Sequence, residues 1–411
     1  MILLKNYTVK PGDTLYYIAI RHRISIPQIV ALNPGLNPDL IYVGQIIKLP
    51  QGAEPMPIIY TVRPGDALYK IAYRFDVSLG ALLAANPQLT NFNLIYPGMK
   101  ITIPEPEPVI KGIILDFVPT DAILDPTRPI IYILNKANNR IYAVNYDTGA
   151  TKSLSFELPV EAFTLSEGKI YVALLISGHH YYTQSPEMGA VAVLNTSSFT
   201  KEAQFNVNID PFDIVADGEG HIYIPSGSNQ WTNFKSFSVS NQEEISKARI
   251  YYKSYAKMHP IYDRIYTITT ASSPRDMIAY NVSDGIFTDS YDSPYHGGYS
   301  LNTYFKISPE GKYIFNSAGT VFTTAINQSE DMKFYTNLNR SFVDIAFNLD
   351  ANKFYIAEQG RNIVAYDYST FYPIATYPSQ GTTIRLFSKG NKLISVSRGA
   401  SNKYFIEFIE V

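Results

Sequence analysis

The sequence predicts two small α+β modules of strand–helix–helix–strand order, followed by a large all-β ring of seven four-stranded units. Three observations predict this. One segment occurs twice near the N-terminus, a stiff stretch rich in Pro and Glu follows the second copy, and a strand-rich pattern then recurs about every 44 residues to the end. A chain of 411 residues exceeds one ordinary core, so several domains are expected. The limits read from the sequence are 7–50 and 60–104 for the modules, 51–59 and 105–108 for the linkers, and 109–411 for the ring.

The duplication is close. Residues 7–16 read YTVKPGDTLY and residues 60–69 read YTVRPGDALY, an offset that continues through Ile18/Ile71, Ala19/Ala72, Arg21/Arg74, Asn33/Asn86 and Pro34/Pro87. Tyr7-Thr8-Val9 is a β-type run and Pro11-Gly12 a turn. Asp13 stands where it can cap the following helix, whose Leu15, Ile18 and Ala19 share one face. Ser25 and Gln28 have capping-box spacing, Asn33-Pro34 ends the second helix, and Gln45–Leu49 supplies the closing strand. The second copy has Gly80 early in its second helix and lacks the box.

The Y-x-V-x-x-G-D-x-L opening, the Asn-Pro after the second helix and the I-x-x-G-x-x-I-x-L/I-P ending, present twice, resemble LysM domains. The resemblance implies binding of N-acetylglucosamine polymers such as peptidoglycan or chitin in a shallow groove. It implies that Gly12, Asp13, Thr14, Leu15 and Tyr16 face Pro38, Asp39, Leu40 and Ile41 across the first groove. It likewise implies that Gly65, Asp66, Ala67, Leu68 and Tyr69 face Asn93, Leu94 and Ile95 across the second. Gly12, Asp13 and Leu15 also have structural duties in turn, cap and core, and Ala67 replaces a hydroxyl present at Thr14.

Beyond residue 108, apolar strands alternate with turns rich in Gly, Asn and Asp. Second-strand anchors fall at Tyr132, Tyr171, Tyr223, Tyr266, Ile314, Tyr355 and Ile394. Units of this kind bury both faces only by stacking radially, which makes a seven-bladed β-propeller. Residues 138–149 and 361–367 resemble the strand-and-turn signature of YVTN-type propellers. The last unit is one strand short, and Lys111 to Phe117 is expected to supply it and close the ring.

About ten residues before each anchor lie Asp121, Glu161, Asp213, Ala256, Tyr304, Asp344 and Ile384, expected to begin the innermost strands around the channel. Four acids near one axis fit either a hard cation or a structural duty, bonding backbone N–H groups of the next blade. Two insertions carry Gly178-His179-His180-Tyr181-Tyr182 and Gly227-Ser228-Asn229-Gln230-Trp231. Tyr181, Tyr182 and Trp231 are candidates for stacking on sugar or peptide. The adjacent histidines point oppositely if on a strand, so no metal or cofactor is assigned.

With 34 basic and 36 acidic residues, the charge favours neither nucleic acid nor anionic membrane, and no apolar run is long enough for a membrane span. The absence of Cys excludes disulfides and thiolate metal sites. The 33 Tyr suit strands and also flat ligands. The expected function is a wall-polysaccharide binding protein, with the module pair as anchor and the propeller as a platform for a protein or small molecule. The alternatives are a LysM-targeted hydrolase or lyase of wall or spore metabolism, and a structural spore-coat component. No G-x-S-x-G, H-E-x-x-H or phosphate loop occurs, and the six His are scattered. The N-terminus is read as too short for a signal peptide, and the expected location is the cell wall or the spore surface or cortex, with synthesis in the mother cell.

Overall fold

A computed structural model describes residues 4–9, 13–22, 24–38, 40–50, 58–75, 77, 79–89, 94–104, 110–181, 186–399 and 402–411. The expected turn at Pro11-Gly12, the site residues Gly12, Asp39, Asn93 and Tyr182, and most of both linkers lie outside these residues. The chain divides into two compact units, Met1–Val109 and Ile110–Val411.

In the first unit, β1 (Leu4–Thr8), α1 (Leu15–Arg21), α2 (Ile26–Leu32) and β2 (Ile46–Pro50) form one module. The strand β3 (Ile58–Thr61), helices α3 (Leu68–Phe75) and α4 (Leu79–Ala84), and β4 (Lys100–Ile103) form the other. In each, the outer strands pair antiparallel, with Tyr7 opposite Ile47 and Tyr60 opposite Ile101. Leu15, Ile18 and Ala19 are buried together with Ile29, Ile47 and Leu49, so the i, i+3, i+4 pattern does face the core. The Ser25–Gln28 capping box is present.

The helix cap on α1 is a correction. Thr14, with extended backbone, caps α1 by accepting from the Tyr17 amide at 3.2 Å. The Asp13 carboxylate turns inward instead, accepting the Tyr7 hydroxyl at 2.7 Å with the Arg21 guanidinium 3.8 Å away. A charge buried this deeply needs such partners more than a helix end does. The second module repeats the arrangement, with Asp66 between the Tyr60 hydroxyl at 2.6 Å and Arg74 at 3.4 Å.

The asparagine of each Asn-Pro does more than precede a helix stop. The Asn33 amide donates to Ile29 O of α2 and Lys48 O of β2, and its Oδ1 accepts the Lys48 amide at 2.6 Å. Asn86 does the same for Leu82 and Thr102. One side chain thus satisfies backbone groups of helix and strand together.

The two modules touch within this unit. The Tyr17 ring packs edge-on against Phe75 at 4.8 Å and lies 6.4 Å from Tyr60, while Arg21 donates to Phe75 O at 3.1 Å. The matching position in the second copy is the exposed Lys70, so the copies differ where one docks on the other.

The second unit is a ring of seven four-stranded antiparallel sheets. All seven predicted anchors fall on the second strands, such as Ile130–Asn135 in blade one and Lys353–Ala357 in blade six. A buried apolar cluster lies between every neighbouring pair of blades, including seven against one. Blade seven comprises Thr382–Lys389, Lys392–Arg398 and Tyr404–Glu410, completed by β5 (Ile113–Leu115), which pairs with the last strand. The closure is reinforced where Gln380 exchanges two hydrogen bonds with the Lys111 backbone, at 2.7 and 2.9 Å. Much of the Tyr excess resides in these cores. Tyr132, Tyr223, Tyr266 and Tyr355 are buried, and the first three hydroxyls reach Asp125, Asp217 and Asp331.

Candidate functional sites

In the first module the first turn of α1 and the loop after α2 bring Tyr16 and Leu40 to the surface, exposed by 58% and 51%. Pro38 is also exposed and Ile41 half-buried. Leu15 lies in the core, so only its backbone is available to a groove, and Thr14 spends its hydroxyl on the cap. In the second module Tyr69 and Leu94 are exposed by 63% and 48%, Gly65 is exposed, Ala67 and Ile95 are half-buried, and Leu68 is core. The Asp13 and Asp66 carboxylates face their Tyr and Arg partners. Burial raises Asp66, but the Tyr60 hydroxyl, the Arg63 amide and the Arg74 charge outweigh it and leave the carboxyl below its ordinary value. Sequence reasoning omitted Tyr42 and Tyr96, which are also exposed, two residues beyond Leu40 and Leu94 on the same loops. Their matched positions in the duplicated Ile-Tyr-x-Gly run were the available signal.

In the propeller, the innermost strands surround a channel cavity of about 600 Å³. Its lining includes Asp121, Glu161, Asp213, Tyr304 and Asp344, all expected there. The two remaining aligned positions, Ala256 and Ile384, lie on innermost strands as expected but do not line the cavity. Ala256 is buried in its blade, and its neighbours Tyr255 and Lys257 face the channel. Ile384 sits in a register shift between Thr383 and Arg385, and Arg385 and Phe387 line the cavity. Side chains alternate along a strand, so a one-residue offset or a bulge exchanges the two faces. The shift between Val160 and Ala162 likewise sets Glu161 into the lining.

The acids are matched within the protein. Asp213 Oδ2 accepts the Ala256 amide of blade four at 2.9 Å, and Asp344 Oδ2 accepts the Leu386 amide of blade seven at 2.8 Å. These are the inter-blade backbone bonds of the structural alternative. Arg385 Nε reaches Asp121 at 2.6 Å, Lys136 reaches Glu161 at 2.9 Å, and Lys306 lies 3.6 Å from Asp344, whose Oδ1 also accepts the Tyr304 hydroxyl and the Ile345 amide. Burial pushes Asp213 above its ordinary value against the Lys257 charge and two backbone amides.

Antiparallel strands place the segment before each first strand on the same ring face as the connection between strands two and three. The two insertions and Asp210 therefore share one face. Asp210, fully buried, accepts from Ser226 and Ser228 Oγ at 2.6 Å each, and bonds His179 Nδ1 at 2.7 Å. Glu187 accepts from Ser226 and Asn229. Burial and the Asp210 charge raise Glu187, while the His179 and serine hydrogen bonds hold Asp210 low despite its burial. Gly227 is required here, since a Cβ would overlap the His179 ring. His180 is exposed and meets the second insertion through its backbone. Beside this cluster, Tyr181 lies edge-on to Tyr252 at 5.6 Å, and Trp231, exposed by 53%, lies edge-on to Tyr251 at 5.2 Å with Arg249 4.9 Å from its ring. Sequence reasoning found Tyr181 and Trp231 but missed the Asp210–Glu187 pair, because the partners come from separate loops.

Among the described residues, one further group of donors is Asp217, Glu219 and His221. Asp217 Oδ2 is already engaged by His221 Nδ1 at 2.7 Å and the Tyr223 hydroxyl at 3.1 Å, which makes this a braced turn. No helix of the described residues is long and apolar enough to cross a membrane.

Comparison with known proteins matches the LysM domain family at residues 7–50 and 60–104. The chain is 36% identical over 119 residues to the secreted LysM effector ECP6 of Passalora fulva, covering 24% of this chain and 52% of that protein. It is 37% identical over 119 residues to the putative sporulation-specific glycosylase YdhD of Bacillus subtilis, covering 29% and 26%. It is 37% identical over 109 residues to the N-acetylmuramoyl-L-alanine amidase sle1 of Staphylococcus epidermidis, covering 24% and 33%. The chain thus spans about half or less of the length of these relatives. Among solved structures, the hydrazine synthase of Kuenenia stuttgartiensis superposes with a TM-score of 0.52 at 14% identity, over 71% of this chain and 95% of that one, a likeness of fold alone. The duplicated strand–helix–helix–strand unit and the ring closed by β5 identify the chain as a pair of LysM domains ahead of a seven-bladed β-propeller.

Proposed function

We propose that this protein binds cell-wall polysaccharide through its LysM pair and uses the propeller as a platform for a further ligand or protein. The observation that carries the reading is the duplication of a LysM module in which both copies keep an exposed aromatic in the first turn of the first helix and an exposed aliphatic side chain on the loop after the second, Tyr16 with Leu40 and Tyr69 with Leu94. In the proposed grooves, backbone groups of residues 12–16 and 65–69 bond the acetamido group of N-acetylglucosamine, and the exposed side chains cover its methyl and ring. On this reading Pro38, Leu40 and Ile41 form the facing wall of the first groove, and Leu94 and Ile95 that of the second. Asp13 and Asp66 act by shaping the loop, since their carboxylates are spent on Tyr7 and Tyr60. The relatives named as a glycosylase and an amidase, together with the effector, support a wall or spore-surface location and a polymer of this sugar class.

Co-sedimentation of the whole protein with purified peptidoglycan and with chitin tests the reading. The protein is expected in the pellet, and a Tyr16→Ala, Leu40→Ala, Tyr69→Ala, Leu94→Ala variant in the supernatant. Whole protein that stays in the supernatant with both polymers at every salt concentration removes the proposal. A second reading, a wall-acting enzyme, draws on the buried Asp210–Glu187 pair beside His179. It requires release of soluble fragments from wall or cortex, lost in Asp210→Asn.

A further inference from the structure

The channel charges are balanced in number but not in contact. Four acids, Asp121, Glu161, Asp213 and Asp344, share the lining with four bases, Lys136, Lys257, Lys306 and Arg385. Three bases sit against acids, at 2.9 Å for Lys136 and Glu161, 2.6 Å for Arg385 and Asp121, and 3.6 Å for Lys306 and Asp344. The fourth acid, Asp213, is held by two backbone amides, from Ile214 at 3.0 Å and Ala256 at 2.9 Å. The Lys257 ammonium makes no hydrogen bond and no ion pair within 4.0 Å among the described residues, and its charge acts on Asp213 only from beyond contact. On the acidic side, Asp121 and Glu161 each use one oxygen for their bonds, Oδ1 and Oε1, and keep the other unengaged. All three residues border the same cavity, with Phe212 and Tyr255 as aromatic wall.

We propose that the channel binds a small zwitterion, an amino acid or a short peptide with free amino and carboxyl ends. Its carboxylate rests on the Lys257 ammonium and its ammonium on the free oxygens of Asp121 and Glu161. This deepens the reading of the propeller as a ligand platform and rests on it. A cavity of about 600 Å³ has the volume of ordinary small-molecule sites. Charge selects among ligands of that size. A cation alone meets Lys257, an anion alone meets Asp121 and Glu161, and a neutral ligand leaves the ammonium partly desolvated with no carboxylate in contact. A ligand carrying both charges satisfies each group with the opposite sign.

The test is calorimetric titration of the whole protein with alanyl-alanine, its N-acetyl form, its amide and the doubly blocked form. Saturable binding of the free dipeptide is expected, with each single block weakening it by about tenfold or more. Lys257→Met is expected to weaken the free dipeptide similarly, and Lys257→Arg to keep it, with melting curves confirming that both fold. Equal binding of the doubly blocked form overturns the proposal, as does a folded Lys257→Met that binds like the parent. N-acetylglucosamine oligomers displaced from the propeller by Lys257→Met, with no dipeptide bound, overturn the zwitterion and leave the platform standing. Failure of every probe, sugar and peptide alike, at the propeller overturns both.

Discussion

The carboxylates at Asp13 and Asp66 show how one residue type can be read for the wrong duty. An Asp ahead of a helix is a reasonable cap from sequence, but the tyrosine six residues earlier and the arginine eight residues later recur with it in both copies, and the structure joins the three. Periodic spacing cannot reveal this, because the bond crosses from a strand to a helix. The signal available was the triple recurrence of Tyr, Asp and Arg at one offset. The Asp66 side chain is 6% exposed and its carboxyl is held below its ordinary value. Its contribution to stability is therefore fully present above the unfolded carboxyl value of about 3.9 and is lost as the pH falls through the lower folded value. Asp66→Asn is expected to destabilise the second module by about 1–3 kcal/mol at neutral pH. The gap to the parent closes in acid. Urea melts followed at 222 nm across pH 2 to 7, a range of about five units spanning the carboxyl titration, check this, since every α-helix among the described residues lies in the first unit. A gap that stays constant with pH sinks the ionic account.

At the scale of elements, ring closure depends on one short strand. β5 carries three residues, and the chain enters it through Gly112, where a Cβ would press on the backbone carbonyl of Ile406 in the strand it joins. Gly112→Ala is expected to cost about 1–3 kcal/mol by forcing that approach apart. It should also quicken hydrogen exchange at residues 113–115 and 404–406 while leaving exchange within blades two to five as it was. Uniform loosening of all blades contradicts a local closure. The need for this strand was legible from the count of runs in the last unit, and the blade number from the second-strand anchors. The Gln380 bonds to Lys111 were not legible, because they join residues at opposite ends of the domain. Channel-facing identity was legible in five blades of seven. It failed at Ala256, one residue out of phase, and at Ile384, where a bulge resets the alternation. The Asp210 cluster stayed hidden for a third reason, namely that its members come from three loops whose meeting depends on blade packing.

At the scale of the whole molecule, recognition of a polymer by two grooves depends on how freely the modules move. A flexible join lowers the effective concentration of the second groove, and a docked pair raises it when both can engage one strand. The first unit is docked through Tyr17 against Phe75 and Tyr60, at a position where the second copy carries Lys70. Tyr17→Lys gives the first copy the second copy's choice and removes the aromatic contact with Phe75 and Tyr60, together with the edge contact of Tyr17 on Tyr16 at 5.4 Å, while the backbone amide that Thr14 caps stays in place. The loss of packing is expected to cost about 1–3 kcal/mol of the unit's stability. Affinity for a single short N-acetylglucosamine oligomer, which fills one groove, is expected to stay within about twofold of the parent. Affinity for long polymer is expected to fall by about tenfold to a hundredfold, because only the polymer uses both grooves at once. Titration of parent and variant with a trimer and with soluble long-chain polymer separates the two effects. An equal loss on both ligands means that Tyr17 supports a single groove, and no loss on either means that the docked geometry is irrelevant to binding.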